Sequence, residues 1–564
     1  MPLSRLLHFN VARGSLNRRD FRIGVGIGTG VIALCMMLAC AMTAQAAQNT
    51  TAHRMRNVHR AEEAAVDTDP LDATDARFLL TRTGFAANAS ELTPYIGKTR
   101  EEAVDALLAG ARTEAATPPP AWVTEPIPSA DIRRAWTQDQ RRDDQREQSR
   151  RYDELRGWWV REMVTTRSPL TERMTLFWHD HFPSAEEKVH YPQLMFRQNA
   201  LLRRDALGNF GDLLHAVSKD PAMLQYLDGA GSRKGRPNEN FAREVMELFT
   251  LGEGHYSQRD VTEAARAYTG WTLDPNTLAY QFNPKIHDDG DKTVLGQMGN
   301  FDGDQVLDLL LAQPQTATFI TTELWREFIS ETPDPAQIAP VAERFRASRY
   351  DIKTALRGLF LSEAFWDERN RGVLVKSPVE FVVGAVREFD IGYADQDATP
   401  LAVQVRNFGE NLFYPPNVKG WPGGENWINS STLLARKQFI EQLFRATEAH
   451  GMGAATAARG PVNPMASPMA SPMASPMASP MTNMMSNAAM KPVATPRPRP
   501  GLRFDLDAWL AQYNTTPDAR PDLSTQLQLQ RAVLAVSPAD AIEPDVTSSA
   551  YLRVLLMDPA YQLK

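Results

Sequence analysis

From Leu71 onward the apolar residues of this 564-residue chain recur at three- and four-residue spacing, with no sustained apolar–polar alternation. A helix gathers residues i, i+3 and i+4 on one face, whereas a strand gathers i and i+2. The pattern therefore predicts an all-α fold: a predominantly helical, multi-helix globular domain with long loops. Thr99 and Glu102 form a capping box ahead of Val104, Leu107 and Leu108. Residues 305–311, 316–329, 341–366 and 378–389 read as further helices, with Pro314 separating the first two. Residues 131–156 carry both charge signs densely and read as a long solvated helix. Gly, Asp, Asn and Pro cluster between Trp271 and Gly299, where one short hairpin fits.

One stretch interrupts the helical pattern. Met-Ala-Ser-Pro repeats over residues 465–481, and Pro-Arg-Pro-Arg-Pro occupies 496–500. Proline at every fourth position blocks both helix and ladder, so residues 451–500 are expected to form a disordered tether. Its thioethers are also of a kind that binds Cu(I), the second reading of the tract. Helical spacing resumes over 501–564 with Leu506, Trp509, Leu510, Leu527, Leu534, Tyr551, Leu555 and Leu556. That tail is expected to pack back on a main helical domain spanning 71–450.

The N-terminus reads as an address. Arg5, Arg13, Arg18, Arg19 and Arg22 precede an apolar run from Ile23 to about Ala41, and Ala44-Gln45-Ala46 follows as an A-x-A cleavage pattern. Asn17-Arg18-Arg19-Asp20-Phe21 adds a twin-arginine core, and Gly24, Gly26, Gly28 and Gly30 dilute the apolar run. Residues 1–46 are thus expected to be a twin-arginine-type signal, a route for proteins folded before export. Residues 47–70 follow as a flexible linker. The expected location is periplasmic or secreted. Two alternatives stay open: the run is long enough to anchor the chain uncleaved, and Cys40 sits in a poor lipobox.

The only cysteines, Cys35 and Cys40, lie inside that signal. Beyond it, disulfides, Cys-based zinc sites and thiol nucleophiles are excluded. The first 46 residues carry five Arg and one Asp, a net of +4, so a chain of −7 leaves −11 for the remainder. An acidic body is a poor non-specific ligand for nucleic acid. Membrane contact is expected only through the signal segment, if that is retained.

The residues able to carry chemistry concentrate between Thr171 and Asp289, with six of the ten histidines. Asn238 reads as an N-cap, and Phe241, Val245, Leu248 and Phe249 share a core-facing arc. Asn240, Glu244 and Glu247 fall together on its flank, and two Glu three apart can converge on one point. Ser257 and Asp260 open the next helix as a capping box, which brings Glu263 and His255 into the neighbourhood. Paired carboxylates beside a histidine suit a divalent cation such as Mn, Fe or Zn, or acid–base work. The competing reading is that Arg243, Arg259 and Arg266 simply neutralise them. His179 and His181 flank Asp180. Within a helix they point about 200° apart, so joint ligation requires the helix to end there, as Pro183 allows. His287, Asp288 and Asp289 lie in a turn-rich loop, as do Trp421 and Trp427 beside the glycines at 420, 423 and 424, where an exposed indole suits a sugar ring.

Several strings together resemble the bacterial DUF1800 family. They are Phe177-Trp178-His179-Asp180-His181-Phe182, Asp220-Pro221-Ala222-Met223-Leu224 and Asn238-Glu239-Asn240-Phe241-Ala242-Arg243-Glu244. Glu247-Leu248-Phe249-Thr250-Leu251-Gly252, Ala265-Arg266-Ala267-Tyr268-Thr269-Gly270-Trp271 and His287-Asp288 continue the series. Pro415-Pro416-Asn417-Val418-Lys419-Gly420-Trp421-Pro422-Gly423-Gly424 and Trp427 close it. The resemblance implies an exported helical protein with another exported, sulfatase-like protein encoded nearby as a partner. It implies no established reaction.

Two functions follow as expectations. The first is metal-assisted hydrolysis of a cell-envelope or extracellular polymer. Its catalytic groups are Glu244, Glu247 and His287, and its metal ligands are drawn from His179, His181, Glu244, Glu247 and His287. Glu239 and Asp288 are second choices. The second is a non-catalytic envelope assembly or glycan- or protein-binding role through Trp421, Trp427, Asn240 and Asp288.

Overall fold

Helices begin where the sequence supplies caps. Thr99 and Glu102 exchange side-chain-to-amide bonds, and Ser257 and Asp260 do the same. Each exchange satisfies two of the N–H groups that a helix start leaves free. The computed structural model describes residues 70–393, 398–457, 502–543 and 545–564, with side chains 446–457 left aside. The expected signal, most of the linker and nearly all of the Pro-rich tract lie outside these residues. Within the described residues the protein is predominantly helical, and no helix is long and apolar enough to cross a membrane.

The helices that position the site are α1 (Gln138–Thr165), α2 (Pro169–His181), α3 (Pro192–Asp205), α4 (Glu239–Met246), α5 (Gln258–Ala267), α6 (Pro314–Phe328) and α7 (Pro378–Glu388). The solvated helix expected over 131–156 is broken at Trp136 and Thr137, and the first half of α1 carries its exposed ion pairs, which contribute little. Its second half turns apolar and buries Tyr152, Leu155, Trp158, Trp159 and Met163. There Trp159 Nε1 donates to Glu172 of α2 at 2.9 Å, and Arg203 of α3 grips the same carboxylate at 2.5 and 2.9 Å. All three side chains are buried. Removing one partner from such a cluster is costly because the remaining charge has no water to turn to. The cluster fixes the rotation of α2 about its own axis. The next residue, Arg173, therefore faces the other way, and pairs with Glu327 of α6 at 2.6 Å and Glu380 of α7 at 2.5 Å.

The stretch at 341–366 is broken rather than continuous. Arg349 and Tyr350 take positive φ, and Asp351 accepts from the Thr354 amide to start a fresh helix. Two hairpins replace the one expected. β1 (Trp271–Leu273) pairs with β2 (Tyr280–Phe282), and β3 (Lys292–Val294) pairs with β4 (Gln297–Gly299), each antiparallel. Leu295 and Gly296 join the second pair, both at positive φ, as a two-residue hairpin turn requires.

The described residues between 70 and 564 form one compact unit around a continuous hydrophobic core. The tail joins it through Trp509, whose indole donates to the Glu388 carbonyl at 3.1 Å, and through a Gly392–Arg503 bridge.

Candidate functional site

Helix α2 carries Phe177-Trp178-His179-Asp180-His181 at its C-terminal end, and it stays helical through His181. The two histidines therefore diverge, as residues two apart on a helix must. His179 points into the core against Trp159 and Phe413, and its Nε2 accepts from the Phe413 amide at 3.2 Å. Burial drives it down to about 3, so it is neutral. His181 stacks on Phe177, and its Nε2 donates to the Phe249 carbonyl at 3.3 Å. Burial takes it to about 4.

That carbonyl belongs to a π-helical turn, Glu247–Leu251, which continues α4 before Gly252 stops it at φ +79. The wider turn swings Leu248 off the core arc, leaving it only half-buried while Phe249 stays inside. Glu247 accepts from the Tyr256 hydroxyl. Burial, then repulsion from Glu247, raises Glu244. Arg243 turns instead to Gln258, with Glu239 at 4.0 Å, and Gln258 in turn bonds Glu239.

His287 is held elsewhere. Its Nδ1 donates to the Thr269 carbonyl at 2.7 Å and its ring packs on Phe282. Asp288 receives Arg266 through two bonds, 2.9 and 3.2 Å, and is pulled down to about 2 by that pairing. Arg266 also holds Glu263 at 2.9 Å. His179 and His287 thus point to surroundings of their own, while His181 and Glu247 line one cavity and Glu244 lies beside Glu247. Among the described residues no three His, Asp or Glu side chains are grouped to hold a metal ion.

The loop at 415–427 lands on the end of α2. The Trp421 amide donates to Asp180 Oδ1 at 2.7 Å. Gly420, at φ +74, passes so close that a Cβ there would lie 2.1 Å from Asp180 Oδ1. Gly424, at φ +55, is pressed equally against Glu331. At these two positions only glycine fits. Trp421 and Trp427 are 7% and 8% exposed, so they anchor the loop rather than standing free for stacking; only their edges reach the cleft.

Two adjoining cavities open beside this contact. One, about 400 Å³, lies among α2, α6, α7 and the 421–427 loop. The other, about 270 Å³, lies between α2, α6 and the π-helical turn. Phe177, Asp180 and Glu323 line both and form the neck between them. Burial pushes Asp180 up to about 8, opposed by the Trp421 amide and aided by repulsion from Glu410, Glu327 and Glu323. Its place in the last turn of α2, at the negative end of the helix, acts in the same direction. Burial also raises Glu323, while Arg326 opposes the shift. Burial brings Glu410 to about 7 against a bond from the Val379 amide at 2.9 Å. Burial thus favours the protonated form of Asp180 at neutral pH, and Glu323 shares the wall of both cavities with it.

A family model described as "Protein of unknown function (DUF1800)" matches residues 78–563. The chain belongs to the DUF1800 family. No curated protein and no solved structure matches it. The DUF1800 motifs at 177–182 and 415–424 are remote in sequence and meet at the Asp180–Trp421 bond. Asp180, Glu323, Glu410 and Arg173 were not nominated from sequence. The one signal available for Asp180 was its place between two histidines that drew attention to themselves.

Proposed function

We propose that this protein works outside the cytoplasm as an acid–base hydrolase of a cell-envelope or extracellular glycan. Asp180 is the general acid and Glu323 the general base. The observation that carries the reading is the neck itself, where Asp180, raised to about 8 by burial, and Glu323, from another helix, both line the two cavities. Two carboxyl groups flanking a bond, one protonated and one ionised, are the requirement for glycoside hydrolysis. Asp180 gives its proton to the departing glycosidic oxygen. Glu323 takes a proton from water as the water oxygen bonds to the anomeric carbon and the old C–O bond breaks. The products are a hemiacetal and an alcohol, and proton exchange through solvent resets the pair.

The extracytoplasmic setting rests on the Arg18-Arg19 pair, the Gly-diluted apolar run and the Ala44-Gln45-Ala46 pattern. The chemistry here rests on the carboxyl pair because His179 and His287 are turned to other surroundings and His181, though it lines the smaller cavity, is held neutral on the Phe249 carbonyl. The test is release of reducing ends from peptidoglycan sacculi and from neutral and amino-sugar polymers by the purified protein. Asp180→Asn and Glu323→Gln are each expected to abolish release while thermal unfolding stays cooperative. Full activity in Asp180→Asn would sink the assignment.

A further inference from the structure

The loop that touches Asp180 also covers both cavities. Val418 and Lys419 line the smaller one, Gly420 crosses the neck, and Trp421 to Gly424 line the larger. The cavities are therefore neighbouring halves of one cleft, bordered by a single segment and sharing Phe177, Asp180 and Glu323 as wall. Each half joins aromatic to polar wall. The smaller half has Phe177 and Phe319 beside Glu247 and Glu253. The larger has Phe177 and the two indole edges beside Glu331 and Glu410. Aromatic faces with hydrogen-bond acceptors around them suit hydroxylated rings.

The sign of the walls narrows the class further. Arg173 is taken by Glu327 and Glu380, Lys419 pairs with Glu253 at 3.2 Å, and Arg326 pairs with Glu323. His181 stays neutral. The cations of the channel are thus matched by carboxylates, and further acids remain. A polymer bearing phosphate or uronate would meet repulsion along both halves.

Building on the acid–base reading above, we propose that the two cavities are subsites on opposite sides of the scissile bond. The enzyme then cuts inside a chain of neutral or amino sugars rather than trimming its end. Glu247, nominated from sequence for metal chemistry, becomes a substrate-contacting residue of the smaller half.

The experiment uses the Asp180→Asn protein, full-length beyond residue 46, and titrates it calorimetrically with glucosamine and N-acetylglucosamine oligomers of increasing length. Polygalacturonate oligomers serve as the anionic control. Affinity is expected to rise about tenfold or more once a chain spans both cavities, and the anionic series is expected to bind at least tenfold more weakly. Phe319→Ala in that background should remove the gain with length while short-oligomer binding remains. Glu247→Gln, which preserves side-chain volume, should do the same if Phe319→Ala fails to fold. Length-independent affinity, a gain that survives both substitutions, or binding by none of the neutral and amino-sugar oligomers would overturn the proposal. With active protein, internal fragments should appear first. Release of monomers alone would overturn the two-sided channel, even with Asp180→Asn inactive and the carboxyl assignment standing.

Discussion

Two aspartates in this molecule follow a histidine and meet a glycine-bearing loop, yet they end in opposite states. Asp288 is met by the Arg266 guanidinium and sits at about 2. Asp180 is met by one backbone amide, burial and three carboxyl neighbours, and sits at about 8. Burial separates them first, since desolvation is the main cause at Asp180 while Asp288 is far more open. The partner adds to it: a guanidinium converts a carboxylate into a fastener between chain segments, while a single amide with acidic company does not overcome the effect of burial. Asp288 ties the loop before β3 to α5. Asp180 ties nothing that Trp421 does not already reach for.

The contrast can be broken most directly at Asp180. Asp180→Asn keeps the shape and is expected to lower turnover by about 10²–10⁴ while leaving folding intact, as steady-state rates and thermal unfolding would record. Trp427→Ala removes a buried anchor of the loop above the neck. It is expected to cost about 3–5 kcal/mol by denaturant titration, a loss of stability rather than of a stacking surface. Asp288→Asn is expected to behave in the opposite way from Asp180→Asn: about 1–3 kcal/mol less stable, with turnover per folded molecule unchanged. A turnover loss at Asp288 as large as at Asp180 would erase the distinction.

The smallest effect is the pH dependence of stability. Asp180, Glu410, Asp220 and Glu388 all have folded values raised to about 7–8. Their stabilisation is complete below the ordinary carboxyl range and is lost as pH rises through 7–8. His179 and His181 are lowered, so their contribution is present above about 6.5 and lost only on acidification. Lys376 and Lys564, lowered to about 8, add stability only above that value. Between pH 6.5 and 8 the acids therefore dominate, and the thermal midpoint should fall by a few degrees. Asp180→Asn should flatten that fall.

The fold was largely legible because helical spacing and caps are local: Thr99 with Glu102, Asn238 and Ser257 with Asp260 act where the sequence places them. The break at Arg349 and Tyr350 was not legible, since positive φ at such residues has no compositional mark. The site was less readable for a related reason. Asp180, Glu323 and Glu410 owe their raised values first to burial among three separate segments, which spacing within one segment does not report. His179 packs in the core as a neutral ring, while His181, also neutral, lines the smaller cavity. Glu244 and Glu247 were expected on one flank of a single helix, but α4 ends at Met246 and Glu247 opens the π-helical turn.

That turn has a consequence for how such a site can change. A π turn holds about one residue more than an α turn, so loss of a single codon within 247–251 would restore ordinary winding. Everything upstream would then rotate by about 100° relative to Gly252. Glu244 and Glu247 would turn together, Glu247 away from the smaller cavity, and the carbonyl that steadies His181 would move. A one-residue indel in that turn is thus a dial on the smaller cavity, available to mutation without touching the carboxyl pair.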